Sequence, residues 1–284
     1  MKLLSSPGLP LRNALNKCWF HSTLQVLNTL PLLLNSERKR DSVMATQFLA
    51  ALTAIRERGS SATVANFLLV MDFKGANNRY GQIAVPDFME FLALQLPSVF
   101  QPVLASVSTR LQCSKCKWIS YSSSRDMLLK VYIPPGDKKS VSLGELLEYN
   151  SSFSSSSVNC GRCGIKTRQV STRESCSDIM CLEIIRVTQN HLSRGLQWSK
   201  NCMPISFPTM GITIPGSEHK YRIIGTCHHQ GSLRYGHWFT RVITTSNVWY
   251  ELDDLRGYNI RTVPPGNLDS TVVILILVKE AIIH

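Results

Sequence analysis

Gly236-His-Trp-Phe-Thr-Arg-Val-Ile243, Thr244-Thr-Ser-Asn247 and Val248-Trp-Tyr-Glu-Leu-Asp253-Asp254 read as strand, turn and returning strand. Both flanks are rich in β-branched and aromatic residues, and the link between them is polar. A hairpin centred near Thr245 puts His237 opposite Asp253, or opposite Asp254 if the turn differs by one residue. Directly opposed Cβ atoms lie about 4.5–5.5 Å apart, close enough for a carboxylate to hold an imidazole N–H. One hairpin would then supply a base and the acid that orients it. The other histidines offer less. His228 and His229 end a strand before Gly231, His191 and His219 lie in polar stretches, and His21 sits on a predicted helix.

Further strands flank this hairpin in sequence. Cys181 to Val187, Tyr221 to Cys227 and Thr271 to Val278 fit the pattern, and the last is apolar throughout, as a strand buried on both faces should be. Toward the N-terminus, residues 14 to 100 read as helical. Phe20, Leu24 and Leu27 share a face up to Pro31, Val43 to Arg58 carries Phe48, Leu52 and Ile55, and Asp87 to Leu96 carries Phe88, Phe91 and Leu92. Helices first and strands later predict an α+β fold with a small insertion at 109–180. Within the insertion, Ser151 to Ser157 is too polar to pack a core and reads as an exposed loop.

The insertion holds Cys113-Ser-Lys-Cys116 and Cys160-Gly-Arg-Cys163. Each Cys-x-x-Cys pair can turn two sulfurs toward one point, and two such knuckles complete a tetrahedral thiolate shell for Zn²⁺. Gly161 and Gly164 suit tight turns. Lys115, Lys117, Arg162 and Lys166 stand beside the sulfurs and are expected to lower their pKa values. A closed four-sulfur site is structural, so this zinc is assigned to folding. A redox pair is the weaker reading, because two pairs are present and neither opens a helix in a βαβ unit.

A base needs a nucleophile. Asn13-Ala-Leu-Asn16-Lys-Cys18-Trp-Phe precedes the first amphipathic helix. With Asn16 as N-cap, Cys18 falls in the first turn, where the helix terminus and Lys17 are expected to favour thiolate. Asn13 could turn its amide NH₂ toward an oxyanion forming beside Cys18.

The 284 residues carry 44% hydrophobic and 18% charged residues, which excludes a disordered chain. Thirty-one Lys and Arg against 19 Asp and Glu give a net charge of +12. The positive residues are scattered, apart from Arg38-Lys-Arg40 and Lys138-Lys139, and no aromatic-basic stacking motif accompanies them, so nucleic acid is not the expected partner. No apolar run approaches the ~20 residues a bilayer demands. The stretch from Met1 to Leu11 is broken by Pro7 and Pro10 and lacks a signal-peptide core. The expected location is intracellular, cytoplasm or nucleus, where the nine cysteines stay reduced.

Several motifs now coincide in order. The chain resembles the ubiquitin-specific proteases, papain-like cysteine peptidases with thumb, palm and fingers. The first box reads Gly8-Leu-Pro-Leu-Arg-Asn13-Ala-Leu-Asn16-Lys-Cys18-Trp-Phe-His-Ser22-Thr-Leu24-Gln25. The helix box is Asp87-Phe-Met-Glu90-Phe91-Leu92. The histidine box is His229-Gln-Gly231 with Tyr235-Gly236-His237-Trp. The last is Trp249-Tyr250-Glu-Leu-Asp253-Asp254. The likeness spans residues 8 to 278.

The resemblance implies a single catalytic domain over 1–284. The thumb covers about 8–100, zinc-ribbon fingers cover 109–180, and the β-rich palm covers 100–108 and 181–284. It implies Cys18 as nucleophile, His237 as general base and then acid, Asp253 as orienting acid with Asp254 able to assist, and Asn13 at the oxyanion. Asp87 and Glu90 would face the basic tail of ubiquitin, since arginines prefer carboxylate partners. The implied activity is thiol-dependent cleavage after the C-terminal glycine of ubiquitin by a monomer that needs no membrane. A SUMO-like modifier, or a weakly active ubiquitin-binding scaffold, is the alternative. The motive is that Leu15 replaces the usual Gly, Lys17 the usual Thr, Trp19 the usual Tyr, His21 the usual Asn and Pro86 the usual Gln.

Overall fold

The first long helix, α1 (Cys18–Leu27), is buried at nine of its ten positions. A helix without a solvent face must lie between two layers, and α1 does. On one side it packs on α2 (Val43–Arg56) and α4 (Val85–Gln95). On the other it packs on a sheet through β13 (Lys220–Gly231), β14 (Gly236–Ile243) and β15 (Trp249–Asp253). The structure, a computed structural model, describes all residues except 2, 14–15, 34–41, 72–82, 114, 137, 152–153, 171–172, 175–176, 193–194, 234, 263, 265–267 and 284. The sequence departure at Leu15 lies outside the described residues.

Three further helices are α3 (Ser61–Leu69), α5 (Pro97–Phe100) and α6 (Leu143–Ser151). Ser42 caps α2 by accepting from Ala45 N–H at 3.0 Å, and Ser60 caps α3. Pro86 opens α4 with Asp87 in its first turn, where a carboxylate favours the positive helix end. Aromatic rings join the helical layer. Trp19 meets Phe88 edge-on at 4.9 Å, and Phe20 stacks on Phe67 at 6.0 Å. None of the described helices is long and apolar enough to cross a membrane.

The main sheet adds β3 (Leu129–Tyr132), β8 (Ile179–Ile185), β16 (Tyr258–Thr262) and β17 (Val272–Lys279). Its order is β16-β15-β14-β13-β17-β8-β3, with β12 (Ile212–Thr213) also on β13. All pairs are antiparallel except β3 with β8. The apolar strand foreseen at Thr271–Val278 is β17, at the sheet centre and buried from Val272 to Val278. Gly225 explains how close α1 comes. A Cβ there would stand 3.1 Å from Thr29 Cγ2 and 3.2 Å from Val26 Cγ2, so even a methyl would require those side chains to give by a few tenths of an ångström.

The remaining strands are β1 (Ala105–Gln112), β2 (Ile119–Asp126), β4 (Val141–Ser142), β5 (Ser154–Asn159), β6 (Lys166–Val170), β7 (Arg173–Glu174), β9 (Val187–Leu192), β10 (Gly195–Lys200) and β11 (Ile205–Ser206). β1 and β2 form one hairpin and β5 and β6 another. The Ser-rich stretch expected as a loop is therefore mostly strand. Ser151 ends α6, and Ser154 onward pairs with β6. A long-range partner overrode local polarity.

Arg186 stitches the main sheet to its connections. Its guanidinium is 4% exposed and donates to Val272 O (2.6 Å), Met203 O (2.9 Å), Asn201 O (3.1 Å) and Asp269 O (3.1 Å). Burial pushes its pKa down to about 10, so it stays charged at neutral pH. Arg186→Met would remove this donor from all four carbonyls, of which Asp269 O keeps the Ile205 N–H at 3.0 Å. The expected loss is above about 3 kcal/mol, seen as a lower urea midpoint at unchanged slope.

Candidate active site

Three distant segments meet at the sheet face of α1. The Asn13 backbone N–H donates to Asp254 O at 2.9 Å, which ties the first box to the end of β15. Thr240 Oγ1 on β14 donates to Ser22 O at 3.1 Å, which ties α1 to the histidine strand. On that strand, His237 Nε2 lies 2.7 Å from Asp253 Oδ1. An ionised carboxylate can only accept, so Nε2 carries the proton and Nδ1 is the basic nitrogen.

The hairpin places these groups by a register other than the expected one. Thr240 pairs with Leu252 and Ile243 with Trp249, so the hairpin centres on Ser246 rather than Thr245. Asn247 takes a left-handed φ of 60°, and Thr244 N–H closes the loop on Val248 O at 3.0 Å. The ladder ends at Thr240, and His237 reaches Asp253 diagonally rather than head-on. Asp253 Oδ1 also accepts from Leu255 N–H at 3.0 Å, and Oδ2 lies 3.4 Å from Arg256 Nε. Gly236, just before the histidine, has no room for a side chain, because a Cβ would run into the His229 ring and Gln230 O.

Asp254 is the buried acid. Its side chain is 2% exposed and Oδ2 meets His21 Nδ1 at 2.7 Å. Its Oδ1 stands 3.9 Å from His237 Nε2 and has no hydrogen-bond partner. Sequence reasoning noted His21 as a departure from the family pattern and gave it no role at the site. Its partner lies 233 positions away, and only the fold joins them.

Cys18 is the first residue of α1 and is 2% exposed. Asn16 is not its cap. Asn16 sits in the left-handed region at φ 52°, Lys17 occupies the cap position, and no side chain caps the helix. Asn13 holds this turn instead, its Oδ1 accepting from Lys17 N–H at 2.8 Å. That bond fixes the amide and leaves its NH₂ to point elsewhere. The expected thiolate is also corrected. Burial raises the Cys18 pKa and the charge of Asp254 adds to the rise, while the Trp238 N–H works against it. Desolvation outweighs the helix terminus, so the resting group is a thiol. Among the described residues no hydrogen bond joins Cys18 to His237. The contact runs through the neighbouring Trp238 peptide.

The acidic pair lies one layer away. Asp87 and Glu90 are both exposed on α4, and Glu90 Oε1 is 3.4 Å from Lys130 Nζ. Beside them, a cavity of about 230 Å³ is lined by Pro86, Glu183, Lys200, His229 and Trp238 among others.

The four cysteines of the insertion converge at the ends of the two hairpins. Cys113 and Cys163 sulfurs are 3.8 Å apart, and those of Cys116 and Cys160 are 3.7 Å apart. A tetrahedron with Zn–S bonds of about 2.3 Å has edges of about 3.8 Å. The knuckles match each other. Lys117 N–H donates to Cys113 O (3.1 Å) and Gly164 N–H to Cys160 O (2.8 Å), with Lys117 and Gly164 left-handed at φ 59° and 67°. Gly161, expected to need such a turn, has no positive φ; the left-handed residue follows each second cysteine instead. Backbone N–H groups of Cys163 and Arg162 lower the Cys160 thiol. At Cys116 the Trp118 N–H has the same effect, but burial and the neighbouring thiols prevail and raise the group to about 11. None of the leading causes at either sulfur is a flanking basic side chain.

The family model described as ubiquitin carboxyl-terminal hydrolase matches residues 9–275, and the chain belongs to that family. Over 271 residues it is 24% identical to ubiquitin carboxyl-terminal hydrolase 11 of Schizosaccharomyces pombe, covering 84% of this chain and 75% of that protein. Two solved structures of the SAGA DUB module Ubp8/Sgf11/Sus1/Sgf73 are similar in fold. One is bound to monoubiquitin, at TM-score 0.75, and the other to ubiquitin aldehyde, at 0.73. Each is 17% identical and covers 99% of this chain and 71% of the other. The α+β class with thumb, palm and fingers holds, and the four-cysteine cluster fits a zinc ribbon.

Proposed function

We propose that the chain is a thiol-dependent deubiquitinase that hydrolyses the peptide or isopeptide bond after the C-terminal glycine of ubiquitin. The observation that carries this is the His237–Asp253 contact of 2.7 Å, built against the helix that Cys18 begins. Family membership and the ubiquitin-bound structures of similar fold support the substrate.

Cys18 gives its proton to His237 Nδ1 as its sulfur attacks the carbonyl carbon of the terminal glycine. Asp253 holds Nε2–H and stabilises the imidazolium. The Asn13 NH₂ and backbone N–H groups take the oxyanion. His237 then protonates the leaving lysine amine. Water, deprotonated by the same imidazole, attacks the acyl-enzyme and restores the Cys18 thiol. Because burial holds Cys18 as a thiol, proton transfer belongs to the reaction and not to the resting enzyme. Cys113, Cys116, Cys160 and Cys163 would hold Zn²⁺, which would tie the two hairpin ends together.

The test is turnover of a fluorogenic ubiquitin C-terminal amide and of lysine-linked diubiquitin, beside a SUMO amide. The expected result is release from ubiquitin substrates only, lost in Cys18→Ala. Release from neither ubiquitin substrate by folded protein overturns the reading, and release from SUMO alone replaces the modifier.

A further inference from the structure

His21 stands one turn beyond Cys18 on α1, so one side of the helix carries both the nucleophile and this imidazole. In sequence it is a departure, because it replaces the usual Asn. In the fold it has a definite task. Its side chain is 13% exposed, and Nδ1 meets Asp254 Oδ2 at 2.7 Å. An ionised carboxylate can only accept, so Nδ1 is the donor.

Asp254 is fixed at two ends. Its backbone O accepts from Asn13 N–H at 2.9 Å, and its Oδ2 accepts from His21. Among the described residues no other donor reaches the carboxylate. Oδ1 is buried, has no hydrogen-bond partner and stands 3.9 Å from His237 Nε2. One carboxylate thus lies between two imidazoles, bound to the first and just out of reach of the second.

Asp253 is held by other means. Leu255 N–H donates to its Oδ1, and the exposed Arg256 faces its Oδ2. Loss of His21 would leave those contacts in place and strip Asp254 of its donor. A carboxylate buried without a donor is costly, and it either turns away or takes up a proton. A neutral acid cannot stabilise an imidazolium.

We propose that His21 is a positioning residue: by binding Oδ2 it keeps Asp254 ionised with Oδ1 aimed at His237, so that Asp254 serves as a second orienting acid. The inference rests on the deubiquitinase reading above and adds the side chain on which that second acid depends. The imidazole is then a substitute donor for the usual Asn and not a mark of lost activity. An asparagine amide also carries N–H groups that the same oxygen can accept.

The test is a double-mutant cycle on turnover of a ubiquitin C-terminal amide. His21→Leu and His21→Asn are each made in wild type and in Asp253→Asn, where Asp254 is the acid that remains. In wild type, His21→Leu is expected to lower kcat by no more than about threefold, since Asp253 still orients His237. In Asp253→Asn it is expected to lower kcat by about a further tenfold, the scale of one hydrogen bond to a charged group. KM stays unchanged in both. His21→Asn is expected to recover most of the loss in the Asp253→Asn background. A folding defect lowers the active fraction in both backgrounds alike, so the difference between backgrounds is insensitive to it, and thermal midpoints record it separately. Equal effects in the two backgrounds overturn the proposal, as does a gain in Asp253→Asn, a change confined to KM, or a loss that asparagine fails to rescue. Wild type failing on all ubiquitin substrates would instead overturn the reading beneath it.

Discussion

Asp253→Asn is expected to lower kcat by about 10²- to 10⁴-fold with little change in KM for a ubiquitin amide. The carboxylate does two things that asparagine cannot. It fixes the imidazole proton on Nε2 through the 2.7 Å contact, which leaves Nδ1 free as the base. It also supplies a negative charge to the imidazolium that forms during attack. An asparagine amide can present N–H to Nε2 instead, moving the ring proton to the nitrogen that must accept one. The range reflects Asp254. Its bare Oδ1, 3.9 Å from Nε2, can accept Nε2–H after a small ring movement and recover part of the rate. Asp253→Asn combined with Asp254→Asn removes that second acceptor and should reach the lower rate. Steady-state kinetics of both variants decide the matter. A single variant with wild-type kcat would mean that the observed pair is not the working one.

The four-sulfur cluster carries the second large effect. Purified protein is expected to contain one zinc per chain by elemental analysis, and Cys160→Ser to contain none. Metal binding of this kind contributes about 10–16 kcal/mol in small zinc-folded peptides, more than two exposed hairpins can supply alone. Stripping the metal should therefore deprotect the backbone amides of β1, β2, β5 and β6 to hydrogen exchange. The amides of β17, at the centre of the palm sheet and buried along its length, should stay protected. Protection in the hairpins that survives metal removal would show that hydrogen bonding alone holds the fingers.

These features were unequally visible in the sequence. The β14–β15 hairpin was legible because strand alternation and a polar turn are local signals, and so was β17, whose apolar run is short and rich in β-branched residues, which favours a buried strand over a buried helix. The register was not, because it depends on Asn247 adopting a left-handed backbone inside the turn. The same limit hid the start of α1. Asn16 has the chemistry of a cap, but Asn13 reaches across the turn to the Lys17 N–H and makes Asn16 part of a bend. The strand β5 could not be foreseen from serines alone, since it exists by pairing with β6 beside the cysteine knuckle. His21 was visible only as a departure from the family pattern. It is an ordinary residue of its own element, and its meaning comes from Asp254, brought from elsewhere by the fold. The cysteine pairs were the opposite case, since spacing alone announced a geometry that the sulfur distances match.

The most direct measurement of the central claim is reaction with ubiquitin bearing a C-terminal electrophile, followed by peptide mapping of the adduct. The account predicts one covalent ubiquitin on the sulfur of Cys18, absent in Cys18→Ala and slowed in His237→Ala. An adduct on the exposed Cys202, or no adduct on folded protein, would contradict it.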